Sequence, residues 1–302
     1  MLRKVVLIAV ATLFVACDDG DVFVTNLEFD DVNLQHCSGN TDFILYKIKT
    51  QAPYESLSAR LPISSANFLT TAGENTTSLS STHTFNYRTY NGDPTGIFCN
   101  SLPPTNPNTT SDSFSDNGTV KFITSLTIDD NDGIPAEFED LNNNGNFDDD
   151  DTDGDGIPNY LDSDDDGDNV PTINEMADPD GDGDLSDAVD TDGDGTPNYL
   201  DEDDDEDGIL TRNEDSNGNV NPQDDITQPA VGPDYLNSAI QSSTINNVYL
   251  NHTRTLDYSS TIHILNLFLV NSSTNETIIN EDYNFGTITT PTTTETYEVP
   301  FN

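Results

Sequence analysis

Apolar and polar residues alternate along both ends of this chain and lose that order in the middle third. Val120, Phe122, Thr124, Leu126 and Ile128 alternate with Lys121, Ile123, Ser125 and Thr127, a period of two that predicts one long strand. A largely apolar run over 43–48 and the alternation around Phe85 and Tyr87 add shorter ones, with Ser-, Thr-, Asn- and Pro-rich loops such as 101–108 between them. Strand signals return at 248–250, 262–270, 276–279, 283–288 and 297–301. No stripe of helical period stands out. The expected fold is mainly β, an antiparallel β-sandwich interrupted or followed by a helix-poor acidic ribbon. Residues 22–128 form the sandwich, 129–228 the ribbon and 229–302 the C-terminal strands. These strands either complete the sandwich, with the ribbon as an insertion, or form a small second β domain.

The middle third repeats itself. Residues 151–175 and 190–214 are 39 residues apart and agree at 18 of 25 positions. Closely spaced carboxylates repel one another and cannot make an apolar core, so such a segment folds around cations or stays disordered. The spacing fits calcium, which takes side-chain oxygens from alternate positions, a carbonyl after a glycine turn and a closing carboxylate. Asp203, Asp205, Asp207 and Glu214 match fully. Asp151, Asp153, Asp155 and Asp162 match with a closing Asp, as do Asp190, Asp192, Asp194 and Asp201. Asp164, Asp166, Asp168 and Glu175 carry Asn169 at the glycine place, and Asp140, Asn142, Asn144 and Asp151 make a less charged version. Asp178, Asp180 and Asp182 begin a sixth loop, in which Val189 stands at the closing position.

Adjacent loops leave no room for EF-hand helices, and Pro158, Pro171 and Pro197 lack the N–H that would bridge paired loops. The stretch resembles the thrombospondin type 3 repeat, in a cysteine-free bacterial form, over roughly 129–225. That resemblance implies a chain wrapped around several Ca2+ ions, its order resting on metal. Tyr160, Leu161, Tyr199 and Leu200 are expected to plug the space between loops.

At the N-terminus, Arg3 and Lys4 precede an apolar run too short to span a bilayer, followed by Ala16 and Cys17. This resembles a bacterial lipoprotein signal: 1–16 removed, Cys17 lipidated and 17–21 left as an acidic tether. The run Asp18, Asp19 and Asp21 resembles the surface-export signal of Bacteroidetes lipoproteins. The expected location is the outer membrane, facing outward. Cys37 and Cys99 then form an even pair, read as a disulfide in an oxidising compartment, with two buried thiols as the alternative.

Charge narrows the partners. Nine bases face 56 acids, a net charge of −47, which excludes nucleic acid. The histidines His36, His83, His252 and His263 are dispersed, and no nucleophile elbow or phosphate loop is present. The expected function is therefore non-enzymatic: a calcium-stiffened spacer or adhesion module presenting a β domain. The alternative is a glycan- or polymer-capture lipoprotein beside an uptake system, with Tyr46, Tyr87 and Tyr90 as either a sugar platform or interstrand packing. A surface protein is a further possible partner.

Overall fold

The computed structural model describes residues 27–299 except Ser101, Pro103 and Ser242. The signal segment 1–16, the tether 17–21 and Cys17 lie outside the described residues. The protein is mainly β. Its strands are β1 (Gln35–Ser38), β2 (Asp42–Ile48), β3 (Glu55–Pro62), β4 (Gly73–Ser78), β5 (Phe85–Tyr90), β6 (Thr109–Ser115), β7 (Thr119–Asp129), β8 (His252–Asn271), β9 (Thr277–Thr289) and β10 (Thr293–Tyr297). Hydrogen bonds join all ten in the order β1-β2-β3-β5-β6-β8-β7-β4, with β9 and β10 also paired to β8.

Contacts divide the chain into two compact units. Among the described residues, those up to Ala66, Thr76–Phe122 and Thr261–Thr287 form the first. Those of Asn67–Asn75, Ile123–Ser260 and 288–299 form the second.

The first unit is an ordinary sheet core. Burial alternates strictly along β2, and β2 and β3 pair antiparallel with Phe43 opposite Leu61 and Leu45 opposite Ala59, all fully buried. Phe85 packs edge-on against Phe285 at 5.2 Å. Each such side chain removed from water contributes about 1.5–3 kcal/mol. Tyr87 donates to Glu55 at 2.7 Å and the Tyr90 hydroxyl lies 2.8 Å from Ser56 Oγ, so both are interstrand packing residues. Tyr46 stacks on Phe98 at 4.8 Å. Cys37 and Cys99 form a disulfide.

The long strand β7 keeps its period of two along its length, with Val120, Phe122 and Thr124 buried and Leu126 and Ile128 half-buried; the Thr124 hydroxyl meets Ser260 Oγ at 2.7 Å and Phe68 O at 2.8 Å. From Asp129 the chain leaves the ladder for the acidic loops. The expected strand at 248–250 is not a strand: residues 243–251 run without regular structure. The two segments expected over 276–288 are one strand, β9.

Candidate metal centre

Each acidic loop is held by its own carboxylates. The backbone N–H at the turn position donates to the opening residue: Gly156 to Asp151 at 3.2 Å, Asn169 to Asp164 at 3.0 Å, Gly195 to Asp190 at 3.1 Å and Gly208 to Asp203 at 3.1 Å. Later acids accept from the residue two further on, as Asp166 does from Asp168 N and Asp168 from Val170 N. Asp151, Asp164 and Asp190 at the opening place thereby spend both oxygens on the backbone, and the later acids one each. The other oxygens of Asp166, Asp168, Asp205 and Asp207 are buried and have no hydrogen-bond partner.

The loops come in two lengths, which the spacing template does not separate. Single 3₁₀ turns punctuate the ribbon. In the longer loops the closing acid directly follows the turn: Asp162 after Asn159–Leu161, Glu175 after Thr172–Asn174, Asp201 after Asn198–Leu200 and Glu214 after Thr211–Asn213. In the shorter loops the last residue of the turn faces the opening residues. Asp149, rather than Asp151, meets Asn142 and Asn144, at 3.5 and 2.9 Å. Asp187 supplies the carboxylate that Val189 cannot, lying with Asp178 and Asp180 in a group whose ligand atoms are within 4.8 Å of one another. Asp182 accepts from Asp184 N at 2.9 Å. A further short loop opens at Asp215 and is closed by Asp224, which accepts from Asn217 and Asn219.

Burial grades these loops. Asp190, Asp192 and Asp194, with Asp140, Asn142 and Asn144, lie at or near the surface, whereas 164–170 is wholly buried. Asp164, Asp166 and Asp168 form one group, and Asp168, Glu175 and Asp204 a second that shares Asp168. Asp204 comes from the next copy of the repeat. Its N–H is clasped by Thr211 Oγ1 at 3.2 Å, while both of its carboxylate oxygens are buried and unpartnered. Asp165 stands at the same place one repeat earlier. It is held by Thr172 at 3.1 Å and is likewise without a carboxylate partner. The charges acting on Asp165 are those of Asp132, Glu139, Asp162 and Asp130. In the alternating loops this place is Thr152 or Thr191, clasped from both sides by Asn159 or Asn198.

Asp130, Asp132 and Glu139 form a group the template misses. Residues 130–135, Asp-Asn-Asp-Gly-Ile-Pro, echo 153–158, but Ile128 sits at the opening place and hides the loop. The repeated Asp-x-Asp-Gly-Ile-Pro was the signal available.

Desolvation, followed by neighbouring carboxylates, pushes these groups up: Asp130 and Asp204 to about 9, Glu139 and Glu214 to about 8, and Asp153 and Asp164 to about 7. Asp166, Asp168 and Glu175 lie well above the usual carboxylate range. Fully buried acids in such number demand either protons or a counter-cation.

One buried base enters the array. His252, at the start of β8, places Nδ1 2.6 Å from Asp162 Oδ1 and Nε2 3.9 Å from Asp164 Oδ2, so it is no scattered strand residue. The segment before it runs back along the loops. Thr244 N donates to Asn213 O at 2.7 Å, Asn169 Nδ2 to Val248 O at 3.1 Å, and Leu250 N to Asn169 Oδ1 at 2.9 Å. Tyr297 donates to Leu161 O at 2.7 Å. Tyr199 is a buried plug with Ile134 and Ala177, against which Leu185, Ala188 and Leu200 pack, whereas Tyr160 is partly exposed and donates to Asp148.

The donor set fits a hard divalent cation. It consists of carboxylate oxygens with backbone-braced geometry and orphaned second oxygens, without thiolates, and His252 is occupied by Asp162.

Fold and site define a mainly β protein with a folded array of acidic loops able to hold metal ions. Residues 129–189 match a family model described as BamM C-terminal. No curated protein and no solved structure matches the chain.

Proposed function

We propose that this chain is a non-enzymatic, outer-membrane-associated lipoprotein whose acidic loops bind several Ca2+ ions and are stiffened by them. The observation that carries the reading is the buried group Asp166, Asp168, Glu175 and Asp204. These acids are at most 4% exposed, and Asp204 and Glu175 have no hydrogen-bond partner on either carboxylate oxygen. A divalent ion there would neutralise charge that neither solvent nor protein reaches. Asp164, Asp166, Asp168 and Glu175 would hold one ion, with Asp204 reaching it from the next repeat. Asp130, Asp132, Glu139 and Asp165 would hold another, and Asp203, Asp205, Asp207 and Glu214 a third.

The BamM-like match over 129–189 supports the outer-membrane association, the Cys17 signal supports lipid anchoring, and the run Asp18, Asp19 and Asp21 supports exposure at the cell surface. The role is that of a spacer or adhesion module. Its array is braced by the returning segment 243–252, so calcium sets the order of a packed body rather than the reach of a loose string. Extracellular calcium modules bind at roughly 10⁻⁴–10⁻³ M, so occupancy would follow the surroundings. The test is calorimetric titration of the full-length protein with calcium, alongside limited proteolysis with and without chelator. Heat from several sites and chelator-dependent cleavage within 140–215 are expected. Absence of binding, or equal cleavage in both conditions, overturns the reading.

A further inference from the structure

We infer that the first unit carries a separate binding site, an open cleft built to take a segment of uncharged glycan. The cleft has a volume of about 1180 Å³ and is walled by the chain before β1, the turn between β2 and β3, and β9. None of the metal-loop acids lines it. A space of this size accommodates several sugar rings, since small-molecule sites run to roughly 300–1,000 Å³.

Its chemistry selects against anions. Glu28, Asp30 and Asp31 stand exposed along it, and the two aspartates act on the buried ammonium of Lys47, which donates to Phe29 O at 2.8 Å. Lys49, the cleft's own base, is held by Glu55 at 2.8 Å and lies over the Phe29 ring. Both cations are thus engaged within the protein, and an anion finds no available base.

What stays open is neutral. Asn33 and Gln51 are exposed on the rim, and among the described residues their amide side chains make no hydrogen bond. Each amide offers donors and an acceptor together, the pairing that a sugar hydroxyl meets. The wall also holds Ile279, 46% exposed, with the half-buried Val32 and Ile48, an apolar surface suited to the C–H face of a sugar ring. The Tyr283 hydroxyl is buried and has no hydrogen-bond partner. Burial, followed by the charge of Asp30, keeps it protonated, so it remains an unused donor. Orphaned buried hydroxyls are rare because leaving one unmet is costly, and this one belongs to a residue of the cleft wall.

The test uses the full-length, calcium-loaded protein in affinity electrophoresis through gels containing dextran, laminarin, xylan or galactomannan, with polygalacturonate and polylysine as charged probes. At least one neutral polysaccharide is expected to retard the protein. Tyr283→Phe, which removes only the hydroxyl, and the surface pair Asn33→Ala with Gln51→Ala should each weaken that retardation by about tenfold. Circular dichroism matching the wild type shows that the variants are folded. Retardation by no neutral polysaccharide, by polylysine alone, or equally in wild type and both variants overturns the inference.

Discussion

His252 Nδ1 lies 2.6 Å from Asp162 Oδ1, joining the first residue of a core strand to the closing acid of a metal loop. Both side chains are almost fully buried, 3% and 1% exposed. Burial alone would lower the histidine pKa, but contact with Asp162 and the charges of Asp164 and Asp155 raise it on balance. Removing one partner of a buried pair typically costs about 3–5 kcal/mol, because the other charge is left uncompensated. His252→Ala should therefore lower the thermal midpoint far more than His263→Ala, whose pair with Asp282 is largely exposed. Calorimetry of both variants checks this, and equal midpoints would contradict the latch.

Metal loss should be felt across repeats. Asp204 lies in the loop that opens at Asp203, yet its carboxylate joins Asp168 and Glu175. Asp204→Asn should weaken calcium binding and raise hydrogen exchange at 164–175 more than at 203–214. Exchange mass spectrometry at limiting calcium reads the difference. A change confined to 203–214 would mean each loop binds alone.

Acid pH should stabilise the metal-free protein and weaken its hold on calcium. Asp130, Asp204, Glu139 and Glu214 have folded-state pKa values raised to about 8 or 9, above those of the unfolded chain. The folded state thus binds protons more tightly. Its contribution is fully present only below the unfolded values of 3.8 for Asp and 4.5 for Glu, and is lost as pH rises from there toward 9. In chelator, the thermal midpoint should fall over that window. Calcium should bind more tightly at pH 8 than at pH 5, because it displaces those protons. Opposite slopes in thermal scans would remove the link between burial and metal.

Asn169 breaks the loop template, which places glycine there, yet Asn169→Gly should destabilise. Its φ is 71°, a conformation glycine adopts freely and asparagine tolerates. The side chain also holds Val248 O and Leu250 N, so the glycine variant gives up two hydrogen bonds at about 1 kcal/mol each. Val220 is the reverse case. It is a β-branched residue at φ 67° in the corresponding place, and Val220→Gly should relieve about 1–3 kcal/mol of backbone strain. Paired denaturant titrations should move in opposite directions.

The disulfide closes a separation of 62 residues. By the chain-entropy estimate it contributes about 4 kcal/mol to the first unit, so the double change Cys37→Ala with Cys99→Ala should lower the denaturation midpoint markedly. Unchanged unfolding would show that the bond constrains little.

Much of this protein was legible without coordinates because the relevant physics is local. A period of two makes strands, as at β7, and an Asp-x-Asp-x-Asp spacing braces its own loop through hydrogen bonds a few residues long. Both are written in consecutive residues, as is the disulfide candidate in a chain with so few cysteines. What stayed hidden depends on residues far apart in sequence. Nothing near Asp204 says that its carboxylate joins the loop one repeat back, and the Asp130 loop escaped notice because Ile128 holds its opening place. His252 read as one of several dispersed histidines until the return of the chain carried it to Asp162. The sequence by itself determined the mainly β character of the two ends and the acidic loops between them. Only the tertiary structure decided which acids are shut away from water, and burial is what turns a row of carboxylates from a solvated surface into a demand for a cation.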